Sequence, residues 1–195
     1  MSSQNQMEPF PNKGILEEIC DIANLVEAFK IVKNKGAPGI DGITVEAYEA
    51  DLHSNVEQLR KEVLDWTYQP TPVKRVEIPK PDGKGTRALG IPIVKDRVFH
   101  TAIKMVLEPI IDPTFSDSSF GFRPRRNQRQ AVEQARKFAQ AGKEHIVDID
   151  LAQFFDRIHH DRLIHRLKTY VQDKRVLRLI GMILRSGIMT EGTVI

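Results

Sequence analysis

At 195 residues, with 41% hydrophobic and 28% charged residues, the chain is long enough to bury a sizeable core and has an ordinary globular composition. The single cysteine, Cys20, excludes an internal disulfide and a cysteine-based zinc site, and no stretch approaches about 18 uninterrupted apolar residues, so the expectation is a cytoplasmic protein with no membrane partner. The net charge of +3 hides a basic middle: residues 72–137 carry 14 Lys and Arg against 7 Asp and Glu, whereas residues 1–71 carry 6 against 12, a distribution expected of a nucleic-acid groove.

Residues 1–14, with Pro9, Pro11 and Gly14, read as an irregular leader. Ile15, Ile19, Ile22, Val26 and Phe29 then recur at steps of four and three, which predicts one amphipathic helix with Glu17, Glu18 and Asp21 near its positive end. Its apolar stripe reads either as core or as a docking face for RNA or for a second copy in a homodimer. From Lys33 to Gly42 three glycines and Pro38 break the helix and let the backbone approach another chain closely. Thr44 is placed to cap a second helix, with Val45, Tyr48, Leu52, Val56, Leu59 and Val63 on one face and Pro70 and Pro72 ending it.

Residues 73–91 predict a β-hairpin, since Val73, Val76 and Ile78 lead into the turn Pro79-Lys80-Pro81-Asp82-Gly83 and Ala88-Leu89-Gly90-Ile91 runs back. Cations crowd this hairpin, and a cationic hairpin can close on a triphosphate and neutralise its charge. A helix follows from Lys95 to Pro109, with Val98, Ala102, Met105 and Val106 as core. The loop Ser116 to Pro124 brings Phe120, Phe122 and Arg123 together. Its rings suit stacking on bases and Arg123 suits a phosphate, with plain core as the other reading for the rings. Beyond it, Arg126, Arg129 and Arg136 are expected on one helical face as a phosphate track, opposite Val132, Ala135, Phe138 and Ala139.

Residues 146–156 are the centre of the sequence. Alternation predicts a strand with Val147, Ile149 and Leu151 on one face and Asp148 and Asp150 on the other. Bulky Phe154 and Phe155 followed by Asp156 favour a metal-dependent phosphoryl-transfer half-site over a solvated face, because hard cations need oxygen ligands beside a walled substrate pocket. Asp150, nearer the strand's end, is the better ligand candidate. Asp161 is placed to cap a helix with Leu163, Ile164, Leu167 and Val171. Val176, Leu177, Ile180, Ile183 and Leu184 mark another, and a strand begins at Gly187.

Five strings in order, Ala37-Pro-Gly-Ile-Asp-Gly42, Ile78-Pro-Lys-Pro-Asp-Gly-Lys84, Leu89-Gly-Ile-Pro92, Lys95-Asp-Arg97 and Phe120-Gly-Phe-Arg-Pro124, followed by Ile146 to Asp156, resemble the fingers and first palm segments of bacterial group II intron reverse transcriptases, or maturases. The resemblance implies an α+β fold: helix-rich fingers over 15–143 with a β-hairpin, then over 144–195 the first part of an antiparallel-sheet palm. It also implies RNA-directed DNA polymerisation with an RNA template, a DNA primer and deoxynucleoside triphosphates, alongside intron RNA binding and splicing. Two Mg2+ ions are implied, one held by Asp150 and the main-chain carbonyl of Leu151. Lys80 and Arg87 would contact the triphosphate and Phe155 would be the steric gate. Gly36, Pro38 and Gly39 would lie along the template, with Arg123, Arg126 and Arg129 on nucleic acid. Ala88 and Phe120 depart from the family's usual proline and tyrosine. The Tyr-x-Asp-Asp turn with the second acids does not occur in these residues, so a truncated chain unable to polymerise alone is expected. Two readings stay beside this one: a non-catalytic RNA-binding module, and a retron, diversity-generating or CRISPR-associated reverse transcriptase.

Overall fold

The computed structural model describes residues 14–33, 36–81, 83–151, 153–190 and 193–194, the Asp156 side chain excepted. Of the leader only Gly14 falls within them, and Asn34, Lys35 and Asp82 of the expected loop and turn lie outside.

The first expected helix is two. α1 (Ile15–Ile19) stops at Cys20 and α2 (Ile22–Val32) starts afresh, because Asp21 takes an extended backbone and its side chain accepts from the Ala23 N–H at 2.9 Å. A residue read as a favourable charge near the helix start is therefore a cap inside the apolar stripe. The second helix also divides at Asp51, into α3 (Val45–Ala50) and α4 (Leu52–Leu64). Thr44 caps α3 as expected, accepting from the Ala47 N–H at 3.1 Å.

The core gathers around α5 (Val94–Ile111), whose Val98, Phe99, Ala102 and Val106 are buried against Leu25, Phe29, Val56, Leu59 and Val63 of α2 and α4. Much of the stripe of the first helices is thus core, and the Tyr68 ring meets Phe99 edge-on at 4.8 Å. α7 (His160–Leu167) starts one residue before Asp161, which is in its first turn and not its cap. α8 (Lys174–Leu184) buries Val176, Leu177 and Leu179 in this same core, so residues assigned to the palm share their packing with the fingers helices.

The expected hairpin forms from β1 (Val73–Pro79) and β2 (Thr86–Ile91). β3 (Ile188–Thr190) adds in parallel to β1, and β4 (Thr193–Val194) pairs antiparallel with β3. The sheet, ordered β2-β1-β3-β4, is therefore mixed, with the parallel pair joining the hairpin to β3 and the two strands after residue 144 antiparallel to each other. The fold is mixed α+β, and among the described residues no helix is long and apolar enough to cross a membrane.

One expected strand is missing. Residues 143–151 are irregular, with Val147, Ile149 and Leu151 81%, 79% and 62% exposed. Alternation specifies which side chains share a face, but a strand persists only where a neighbour satisfies its N–H and C=O groups, and none of the four strands pairs here. α6 (Gln128–Gln140), just before it, is fixed by a capping box between Asn127 and Gln130 yet buries no residue, so Val132, Ala135, Phe138 and Ala139 are not core among the described residues.

Candidate nucleotide and nucleic-acid site

The hairpin carries the best-defined geometry. Ile78 pairs directly with Arg87, which puts their side chains on one face of the sheet with Leu89 and Val76. Lys80 continues the same alternation two residues beyond Ile78, and its N–H donates to the Gly85 carbonyl at 3.1 Å, closing the turn. Lys80 and Arg87 are both exposed. Two exposed cations on one side of a two-stranded arm suit a polyphosphate.

Loop 36–42 is held from beneath. Arg97 donates from Nη2 to the Ala37 carbonyl at 2.7 Å and from Nε to the Pro92 carbonyl at 3.1 Å. Gly39 is buried against the backbone of Ile93, where a Cβ would fall 2.6 Å from the Ile93 Cα. This glycine's close approach is to the chain's own backbone, whatever the loop's outer side does. Gly36 and Pro38 are half-buried in the same loop. The other members of the Lys-Asp-Arg string are braces too. Lys95 pairs with Glu62 at 3.0 Å, and buried Asp96 accepts from the Tyr68 hydroxyl and the Thr71 N–H, both at 2.8 Å.

Arg123 departs from its expected use. Its side chain is only 7% exposed, pairing with Asp112 through Nε at 2.7 Å and through Nη2 at 3.2 Å. The remaining donors reach the carbonyls of Ser116, Ser119 and Asp112. The guanidinium holds the Asp112 carboxyl below the usual range by hydrogen bonding, and little of it is left for a phosphate. Nothing local in the sequence pairs Asp112 with Arg123, since the partners sit eleven residues apart across an irregular loop. Arg126 precedes α6 and so does not share its face. It bonds to Asp117 at 3.1 Å and lies over the Phe120 ring at 5.6 Å. Arg129 and Arg136 do share that face, seven residues apart, with Arg136 tied to Glu133 at 2.8 Å.

Asp148, Asp150 and Leu151 lie on the exposed irregular segment, and Phe155, 81% exposed, opens a 3-10 turn (Phe155–Arg157) edge-on to Phe154 at 5.5 Å. Among the described residues no group of three His, Cys, Asp or Glu could hold a metal ion. The Asp150 carboxylate and the neighbouring Leu151 carbonyl are hard oxygen donors that fit Mg2+, as part of a coordination shell.

Comparison with known proteins places these features. The profile of the family described as reverse transcriptase (RNA-dependent DNA polymerase) matches residues 78–193, from the cationic hairpin through the acidic segment to β4, and the chain belongs to that family. Members of this family generally use a divalent metal and bind a nucleic-acid template. Within the family the chain is similar to intron-encoded proteins. It is 33% identical over 158 residues to the group II intron-encoded protein LtrA of Lactococcus lactis, covering 80% of this chain and 26% of that one. Protein YkfC of Escherichia coli is 35% identical over 175 residues, covering 86% and 46%. The putative COX1/OXI3 intron 1 protein of Saccharomyces cerevisiae is 29% identical over 187 residues, covering 96% and 22%. The chain thus spans less than half the length of these relatives. A solved chain of a partial Cas6-RT-Cas1–Cas2 complex shares the fold, with a TM-score of 0.58 at 22% identity over 94% of this chain and 30% of that one.

Proposed function

We propose that this chain supplies the nucleotide-binding hairpin and the first catalytic carboxylate of an RNA-directed DNA polymerase that also acts on group II intron RNA as a maturase. The observation that supports the reading is the hairpin geometry, in which Arg87 pairs with Ile78 and Lys80, two residues on, closes the turn through its N–H to Gly85, within the stretch matched by the family. Those two side chains bind and orient the triphosphate. Phe155 closes on the sugar and excludes a 2′ hydroxyl, while loop 36–42 and the basic residues Arg126 and Arg129 guide template and primer. Asp150, with the Leu151 carbonyl, would hold a divalent ion, which when bound supplies activation of the primer's 3′ hydroxyl and charge neutralisation at the triphosphate. The Tyr-x-Asp-Asp turn that would carry the second set of acids does not occur among these residues.

The test is primer extension on an RNA template by a polymerase containing this chain, with Asp150→Asn beside the wild type. Synthesis falls by at least about a thousandfold, the scale of losing a charge-stabilising group, while RNA affinity stays within about twofold. Synthesis that survives the substitution moves the site away from Asp150. The exposed, unpaired state of residues 143–151 favours a second reading, an RNA-binding module without catalysis. It is supported if wild-type RNA binding is intact and no synthesis occurs under any divalent ion.

A further inference from the structure

The loop between α5 and α6 holds one side chain that neither the core nor the catalytic reading uses. Phe122 is 103% exposed, and its backbone sits at φ +55°, a left-handed conformation unfavourable for a bulky residue. A fully solvated phenyl ring on a strained backbone is disfavoured twice over, so the loop must be held in this shape by something else. Arg123, the next residue, does so: its internal contacts with Asp112, Ser116 and Ser119 tie both ends of the loop to the end of α5. The neighbouring rings each carry a guanidinium near one face, Arg123 at 5.5 Å from Phe115, which is 49% exposed, and Arg126 at 5.6 Å from the half-buried Phe120. Phe122 is the most exposed of the three, and it borders a cleft of about 330 Å3 together with Leu107, Ile111 and Phe115.

We propose that Phe122 is a stacking platform for an unpaired base of single-stranded RNA, presented by a loop that Arg123 makes rigid. This rests on the nucleic-acid reading above and deepens it by naming the strand form and the contact. Charge selects the partner: residues 116–140 carry six basic residues against two acidic ones, Asp117 and Glu133, a surface suited to a polyanion. Stacking selects the strand form, because a duplex hides its base faces within the helix while an unpaired base offers one to any exposed ring. Arg123 thus acts through Phe122, as a positioning residue, in place of the direct phosphate contact its sequence context implies.

The experiment is a fluorescence anisotropy titration of the 195-residue chain with a short labelled single-stranded RNA and with a blunt duplex of the same sequence, at two salt concentrations. Phe122→Ala weakens single-strand binding about tenfold and duplex binding less than twofold, and Phe122→Trp restores the single-strand affinity. The salt dependence stays unchanged because no charge has been removed. Since the ring packs on nothing, the melting temperature of both variants matches the wild type. Equal loss on single strand and duplex, or a single-strand change under twofold, overturns the proposal. So does altered self-association of Phe122→Ala with RNA binding intact, which would make the ring a protein contact. A wild-type chain that binds neither RNA overturns the nucleic-acid reading itself, a result distinct from a Phe122 variant that binds like the wild type.

Discussion

Arg175 of α8 donates from Nη1 and Nη2 to the two carboxylate oxygens of Glu17 in α1, at 2.6 and 2.8 Å, joining residues 158 positions apart. The same guanidinium bonds Asp173, which caps α8 through the Arg175 N–H at 2.9 Å and also accepts from the Leu16 N–H at 3.3 Å. One three-residue network thereby fastens the start of the described chain to its last helix.

Breaking this network has a pH-dependent consequence. Hydrogen bonds from Arg175 hold both Glu17 and Asp173 below their ordinary values of 4.5 and 3.8. Both carboxylates bind protons less readily folded than unfolded, so their stabilisation is complete above those ordinary values and is lost as pH falls through the lowered folded ones. The pair is about 40% exposed, which keeps its worth near 1 kcal/mol. Arg175→Ala should lower the melting temperature by roughly 2–4 °C at pH 7, with the gap to wild type closing below about pH 4. A gap that does not change with pH would refute the linkage.

Asp96 is the described charged side chain most completely removed from solvent, and it holds the linker after α4 to α5 through Tyr68 and Thr71. Asp96→Ala leaves a buried hydroxyl and a backbone N–H without their acceptor and should cost about 2–4 kcal/mol in urea unfolding. Asp96→Asn keeps one carbonyl acceptor and should cost less. Equal and small effects, under about 1 kcal/mol, would show that the linker is held by packing alone.

Two glycines of the 36–42 loop should respond differently to alanine. At Gly39 the new methyl would meet the Ile93 backbone at 2.6–2.7 Å and force the loop away, costing about 1–3 kcal/mol. At Gly42 nothing lies within 4 Å, and only the φ of +71° is penalised, by about 1 kcal/mol. Equilibrium unfolding of both variants separates the two mechanisms. A Gly39→Ala variant as stable as wild type would remove the close backbone approach.

For Phe155, the prediction concerns selectivity. In a polymerase containing this chain, Phe155→Ala should raise ribonucleotide incorporation relative to deoxynucleotide by at least about tenfold, the discrimination one steric contact supplies. The ring is 81% exposed and contacts Phe154, so folding should be little affected. Unchanged selectivity in single-nucleotide incorporation assays would withdraw the gate assignment.

Much of this molecule was legible in the sequence where the signal is local. The 3.6-residue period located α2, α4, α5 and α8, the proline-glycine turn located the hairpin, and Thr44 was recognisable as a cap. Less legible were features whose meaning depends on a partner. Asp21 looked like one more charge near a helix start until the backbone turned at it. Arg123 looked like a phosphate ligand, because a guanidinium reads the same in sequence whether its donors face solvent or Asp112.

Residues 146–151 mark the boundary between the two kinds of information. By itself the sequence determined the family, the order of its motifs, the hairpin's cations and the two-residue spacing of Asp148 and Asp150, all properties of neighbours along the chain. Only the tertiary structure decided that β3 joins β1 in parallel, that Arg175 reaches Glu17, and that the alternating segment stays unpaired and exposed. The physical reason is that periodicity fixes which side chains share a face. Whether that face is buried depends on hydrogen-bonding and packing partners that arrive from distant parts of the chain.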